Sequence, residues 1–270
     1  MSIVEVNNLC YCASEWQTVC DVSFAVDTGE TFALVGTEKS GKTAIARHLN
    51  GLLLPKSGRV SVCGLDTSDN SNLKDIRKKC GMIFPDSRRH FLTSSVEDEM
   101  SLALKCAGVS DEDIPGKTEA CLSIVGMNGR GKERPDFLTE YECLCVQIAT
   151  VLAYEPEVLV FADAASEIYG EDRESYFAML RKLHDDGKTV IIFTNSCDEA
   201  SVAQRVLLLK DGKTLICGET RDVLSDMKSL GEAGIEPSFP MIAYHDLLES
   251  DIKLGRPPLS IRELVDEICL

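Results

Sequence analysis

Gly36-Thr37-Glu38-Lys39-Ser40-Gly41-Lys42-Thr43 has the residue types and spacing of a loop that holds phosphate. Glycine at 36 and 41 lets backbone N–H groups turn inward and approach phosphate oxygens, an approach a side chain would obstruct. In such a loop Lys42 meets the β- and γ-phosphates of a nucleoside triphosphate, and the Thr43 hydroxyl ligates Mg²⁺. Gly36, Thr37, Glu38, Lys39, Ser40, Gly41, Lys42, Thr43 and Ala44 are the expected nucleotide contacts, with Thr43 also the expected metal ligand.

A phosphate loop needs a strand to deliver it and a helix to follow it, and both are legible. The apolar run Thr31–Val35 enters the loop, and Ala44–Leu49 continues a helix that begins near Ser40 and points its partial positive charge at the same site. Upstream, Ile3–Val6 and Val22–Val26 alternate as strands do, with a turn at Asp27–Glu30. A turn at Pro55–Gly58 leads into a further strand over Arg59–Gly64, which together predict a β-rich N-terminal lobe. From about Arg88 to Thr150 the periodicity becomes helical, predicting an inserted helical subdomain. Val158–Ala162 and Thr189–Thr194 read as buried parallel strands separated by a helix over about 171–186, so an α/β core resumes there. Glycines and prolines break the chain past Gly218, so residues 1–222 are expected to form the nucleotide-binding domain and 223–270 a small helical extension.

With 270 residues and 44% hydrophobic content the chain can bury a substantial interior. Its formal charge of −16 argues against nucleic acid or an anionic lipid surface as the main partner, because both bind basic patches. No apolar run reaches the roughly 18 residues a membrane-spanning helix requires, and the first residues lack a signal-peptide layout, so a cytoplasmic location is expected. The twelve cysteines are expected to be buried small hydrophobes in a reducing compartment. Cys10/Cys12 and Cys143/Cys145 are C-x-C pairs with no second pair to complete a zinc site.

Taken in order, the phosphate loop, Gly51–Gly58, Gly81–Phe84, Gly187–Val190 and Asp198–Ala200 resemble the ATP-binding subunits of ABC transporters over nearly the whole chain. His48–Leu53 and Pro258–Val265 look most like the energy-coupling-factor ATPases of vitamin and metal uptake. The resemblance implies an α/β P-loop NTPase fold, with a RecA-like core, an antiparallel β-subdomain and an inserted helical subdomain. It also implies ATP and Mg²⁺ as ligands and head-to-tail pairing, as a homodimer or with a paralogous ATPase subunit. In the family each site is shared, one chain's loop facing the other's LSGGQ signature. An integral membrane coupling subunit is the further partner implied, which would hold the chain on the inner face of the cell membrane. Nucleic acid is not an implied partner.

Several positions depart from the family pattern. Counted without gaps, Leu138-Thr139-Glu140-Tyr141-Glu142 stands in place of LSGGQ, bringing like charge and bulk where glycines approach the partner's γ-phosphate. The same count puts Ala162 at the Mg²⁺-supporting aspartate and Asp163, one methylene short, at the catalytic glutamate. A slip by one residue makes Asp163 the magnesium aspartate and Ala164 the base position, but it would turn over the strand's apolar faces. Pro85 replaces the Q-loop glutamine, Asn195 the switch histidine and Tyr169 the D-loop aspartate. Ala13 replaces the aromatic that stacks on adenine, with Tyr11 or Trp16 as substitutes. Asp163 and Asn195 thus remain the candidate catalytic groups, and ATP binding with slow hydrolysis is the expected behaviour. The alternatives are a nucleotide-sensing or scaffolding protein that has left transport, and an ordinary ATPase in which Asp163 and Asn195 suffice.

Overall fold

Residues 1–12, 18–250, 252 and 254–269 are described here from a computed structural model. Ala13 and Trp16 lie outside the described residues.

Two sheets sandwich one helix. Strands β1 (Ser2–Cys12), β2 (Thr18–Asp27), β4 (Ser57–Val62) and β5 (Leu65–Asp66) form an antiparallel sheet in the order β2-β1-β4-β5. The second sheet runs β10-β9-β3-β8-β7-β6. It comprises β3 (Thr31–Val35), β6 (Cys80–Ile83), β7 (Val158–Ala162), β8 (Thr189–Thr194), β9 (Arg205–Lys210) and β10 (Lys213–Glu219). Its central pairings are parallel and only the edge strand β10 runs antiparallel, to β9. β3, β7 and β8 are buried on both faces, so they read as continuous apolar runs rather than alternating ones.

The pleat sends alternate residues of this sheet into two cores. Phe32, Leu34, Val158, Val160, Ala162, Ile191 and Phe193 join helix α1 (Lys42–Leu49) and the antiparallel sheet in one core. Ala33, Val35, Leu159, Phe161, Val190 and Ile192 face the helices on the opposite side.

Between β6 and β7 the chain leaves the sheet for α3 (Val96–Ala107), α4 (Ile114–Ile124) and α5 (Glu140–Leu152), after the short α2 (Leu73–Lys79) has led into β6. Ser95 caps α3 by accepting from Asp98 N–H, and Gly108 ends it in the left-handed region at φ 90°. Helix α6 (Glu171–Asp185) connects β7 to β8, and α7 (Cys197–Ala200) follows β8. After β10 come α8 (Thr220–Ser225), α9 (Met227–Ala233), α10 (Phe239–Glu249) and α11 (Ile261–Ile268). Val223, Leu224, Leu230, Ala233 and Ile235 join the large helical-face core, whereas Met241, Tyr244 and Leu264 form a small core of their own.

The cysteines depart from expectation. Only Cys80, Cys143, Cys145 and Cys197 are buried, while Cys12, Cys20, Cys106, Cys217 and Cys269 are exposed. Strand pleats and loop ends, not a preference for the interior, decide where most of these thiols lie.

Candidate nucleotide site

β3 delivers the loop at the carboxyl ends of the parallel strands, where Gly36 N–H donates to Thr194 O at 3.0 Å. The turn closes on itself through Ser40 Oγ, which donates to Thr37 O at 2.8 Å, and Gly212 N–H holds Ser40 O from behind at 2.9 Å. A Cβ on Gly36 would collide with the Ser40 side chain. Gly41 sits at φ 94°, and a Cβ there would lie 2.9 Å from Thr18 O. Both glycines are therefore required by sterics before any ligand is considered. Helix α1 opens at Lys42 and points its N-terminus at the loop, so Gly36–Ala44 form one continuous loop and first helical turn.

Lys42 is 2% exposed, and its Nζ lies 3.1 Å from Asp163 Oδ1. Asp163 follows β7 in a left-handed conformation, φ 53°, fixed by its N–H donating to Phe193 O at 2.9 Å. Burial pushes its carboxyl pKa up, the Lys42 ammonium pulls the other way, and Glu38 adds a little upward. Its neighbour Ala162 is buried on the α1 side of β7 together with Val158 and Val160. The position turned toward the loop helix thus carries no carboxylate.

Beyond β8 the chain builds a network that the sequence did not reveal. Glu199, 4% exposed, accepts from Thr194 Oγ1 at 2.6 Å and from Tyr176 OH at 2.8 Å. Ser196 N–H donates to Thr194 Oγ1 at 3.0 Å, and Arg173 donates to Ser196 Oγ at 2.6 Å. Burial holds the Glu199 carboxyl above its usual range despite these donors. The signal available was Asp198-Glu199-Ala200, but nothing in one dimension pairs it with Tyr176 on another helix. Asn195 is exposed and shares a cleft of about 840 Å³ with Thr37–Lys39, Asp163 and Tyr169. Gly234–Ser238 form another wall of this cleft, which the sequence also did not suggest.

Among the described residues, none of Leu138–Glu142 lines that cleft. Thr139 caps α5 in a capping box: its hydroxyl accepts from Glu142 N–H and the Glu142 carboxylate accepts from Thr139 N–H. Glu142 also pairs with Arg130, and Glu140 with Arg88 at 2.8 Å. Arg88 donates further to Pro135 O at 2.8 Å and Leu138 O at 2.6 Å, bolting the turn to the segment after β6. The Tyr11 ring packs edge-on against His48 at 4.8 Å. Pro85 stands in the segment between β6 and α3, where its carbonyl accepts from His90 Nε2 at 3.1 Å.

A family model described as ABC transporter matches residues 19–166. This chain belongs to the ABC transporter family. Energy-coupling factor transporter ATP-binding protein EcfA1 of Halalkalibacterium halodurans is 32% identical over 258 residues, 96% of this chain and 93% of that protein. A putative ABC transporter ATP-binding protein of Methanosarcina mazei is 28% identical over 99% of this chain and 98% of its own length. Among solved structures, cbiO1 of Clostridium perfringens, described as part of the cbiONQ complex, superposes with a TM-score of 0.79 at 21% identity, covering 92% of this chain and 99% of that one. The cassette MJ0796, solved as a dimer with ADP and Pi, gives 0.70 at 23% identity over 81% of this chain and 99% of its own. The ABC ATPase fold expected from the sequence is thus the fold observed.

The residues present fit the phosphates of ATP, because the buried Lys42 ammonium at the N-terminus of α1 already holds an anion at 3.1 Å. They fit Mg²⁺ more sparingly. Thr43, half-buried, offers one hydroxyl, and the ion would complete its shell with phosphate oxygens and water.

Proposed function

We propose that this chain is the ATP-binding subunit of an energy-coupling-factor type importer, holding Mg-ATP at an interface with a second ATPase chain and hydrolysing it slowly. Near-full-length likeness to energy-coupling factor ATP-binding proteins supports the transporter assignment. Slow turnover rests on one observation, the ion pair between Lys42 and Asp163. A general base must lie within about 2.6–3.2 Å of the proton it removes, or one water away. Here the carboxylate directly following β7, Asp163, is spent on the lysine that must bind phosphate, and Ala162 beside it has none to contribute. Glu199 lines the same cleft, but both its oxygens are taken by the Thr194 and Tyr176 hydroxyls. Single acid–base groups contribute about 10²–10⁴-fold, so their loss leaves binding largely intact while removing most of the turnover.

The partner half-site is altered in the same direction. The N-terminus of α5, which in the family meets the opposite chain's γ-phosphate, is here satisfied by its own Glu142 and neighboured by Glu140. An apolar groove of about 630 Å³ between α2–β6 and α3–α5, lined by Leu52, Phe84, Leu92, Leu102 and Ala103, is the surface offered to the membrane coupling subunit. Leu92 is 80% exposed and Leu52 49%, more apolar surface than a lone soluble cassette needs to show. Docking there would hold the chain on the cytoplasmic face of the membrane.

The test titrates a fluorescent ATP analogue against wild type and Lys42→Ala while measuring phosphate release on the same preparations, with Asp163→Ala alongside. Tight binding lost in Lys42→Ala, with slow release that Asp163→Ala does not lower, is expected. Brisk release that depends on Asp163 would make the chain an ordinary ATPase instead.

A further inference from the structure

Two thiols on the longest strands lie outside the nucleotide site. Leu9 pairs with Val22 and Tyr11 with Val19, so the single residue Cys10 on β1 faces both Cys20 and Asp21 on β2, a bulge made possible by Asp21 at φ 58°. The bulge turns Asp21 N–H onto Cys10 Sγ at 3.2 Å. Ser57 and Cys20 are the neighbouring side chains that further favour the charged form of that sulfur. Both backbones are pinned: Lys56 N–H donates to Cys10 O at 2.9 Å and Cys20 N–H to Gly212 O at 2.8 Å. The register thus sets the two thiols opposite each other at one bulge, with Cys10 half-buried and Cys20 exposed.

The environment also sets Cys10 apart chemically. The Asp21 N–H, then the Ser57 hydroxyl, stabilise its thiolate and hold its pKa below the usual thiol range. Burial pushes Cys63, Cys80, Cys121, Cys143, Cys145 and Cys197 the other way. An accessible sulfur with stabilised thiolate character beside a second thiol is the arrangement of a peroxide-reactive cysteine and its resolving partner.

We propose that Cys10 and Cys20 form a peroxide-responsive pair that closes to a disulfide. The Cys10 thiolate attacks one peroxide oxygen, the O–O bond breaks, and the departing hydroxide takes a proton to become water. Cys10 is then a sulfenic acid, oxidised by two electrons as the peroxide is reduced. The Cys20 thiol gives up its proton and attacks Cys10 Sγ; the S–O bond breaks and the leaving hydroxide takes that proton as a second water. Two thiols and one peroxide become one disulfide and two waters.

The test uses the full-length chain, reduced, freed of reductant and treated with stoichiometric hydrogen peroxide, followed by intact mass and non-reducing peptide mapping. A loss of two hydrogens mapping to Cys10–Cys20 is expected, unchanged in Cys12→Ser. In Cys20→Ser the same dose should leave a sulfenic acid on Cys10 that dimedone traps. Iodoacetamide should label Cys10 in the untreated protein several-fold faster at neutral pH than Cys106. A disulfide through Cys12 or another pair, or a Cys10 no more reactive than Cys106, overturns the proposal.

Discussion

With Lys42 Nζ 3.1 Å from Asp163, an arriving nucleotide meets the carboxylate as a competitor for the lysine. Charge-assisted hydrogen bonds are worth about 1.5–3 kcal/mol, so Lys42→Ala should weaken Mg-ATP binding by about 10–100-fold in a fluorescence titration. Asp163→Ala should tighten it, since the triphosphate no longer displaces a resident anion. Glu199 yields a prediction in pH. Its folded pKa lies above the ordinary carboxylate value, so below that value both folded and unfolded chains hold the proton and it has no effect. As pH rises the unfolded chain ionises first, and stability falls until the folded pKa is passed. Glu199 should therefore pull the melting temperature down as pH leaves the acid range, against depressed carboxylates such as Glu142 and Glu263 that raise it, and Glu199→Gln should remove that downward part. Asp163, shifted in the same direction, would leave a residual slope. At this scale the loop between β3 and α1 was legible because it lies within nine consecutive residues, Gly36–Ala44. The Glu199–Tyr176–Thr194 cluster was not, since it joins residues from a strand and two helices.

Among the elements, α5 has a terminus built for itself. Thr139→Ala removes one half of the capping box and should cost about 1 kcal/mol, read as a fall in melting temperature of about 2–4 °C for a chain this long. Elements whose apolar runs are unbroken, such as β3, β7 and β8, were read from the sequence to within a residue. β1 extends to Cys12 and β2 begins at Thr18, well beyond the alternating segments Ile3–Val6 and Val22–Val26. Asn8 and Asp21, both at positive φ, shift the register there, so the alternation stops while the hydrogen bonds continue. β9 and β10 were missed although Val206–Leu209 is a continuous apolar run and Asp211-Gly212 a strong hairpin signal.

At the scale of the whole molecule, the proposed function rests on surfaces this chain would present to others. Leu102, 38% exposed on α3, faces the apolar groove. Leu102→Glu should abolish co-purification with a membrane coupling subunit while leaving the affinity for the ATP analogue at the wild-type value. Neither the groove nor the cleft could be drawn from sequence, because each is a gap between elements far apart in the chain.

Gly234–Ser238, between α9 and α10, stand directly across from Thr37–Lys39. The tail is consequently architecture rather than appendage: shortening the protein at the end of its last strand would take one wall from the cleft beside the loop, and a fragment so trimmed would report on a wound instead of on the native site.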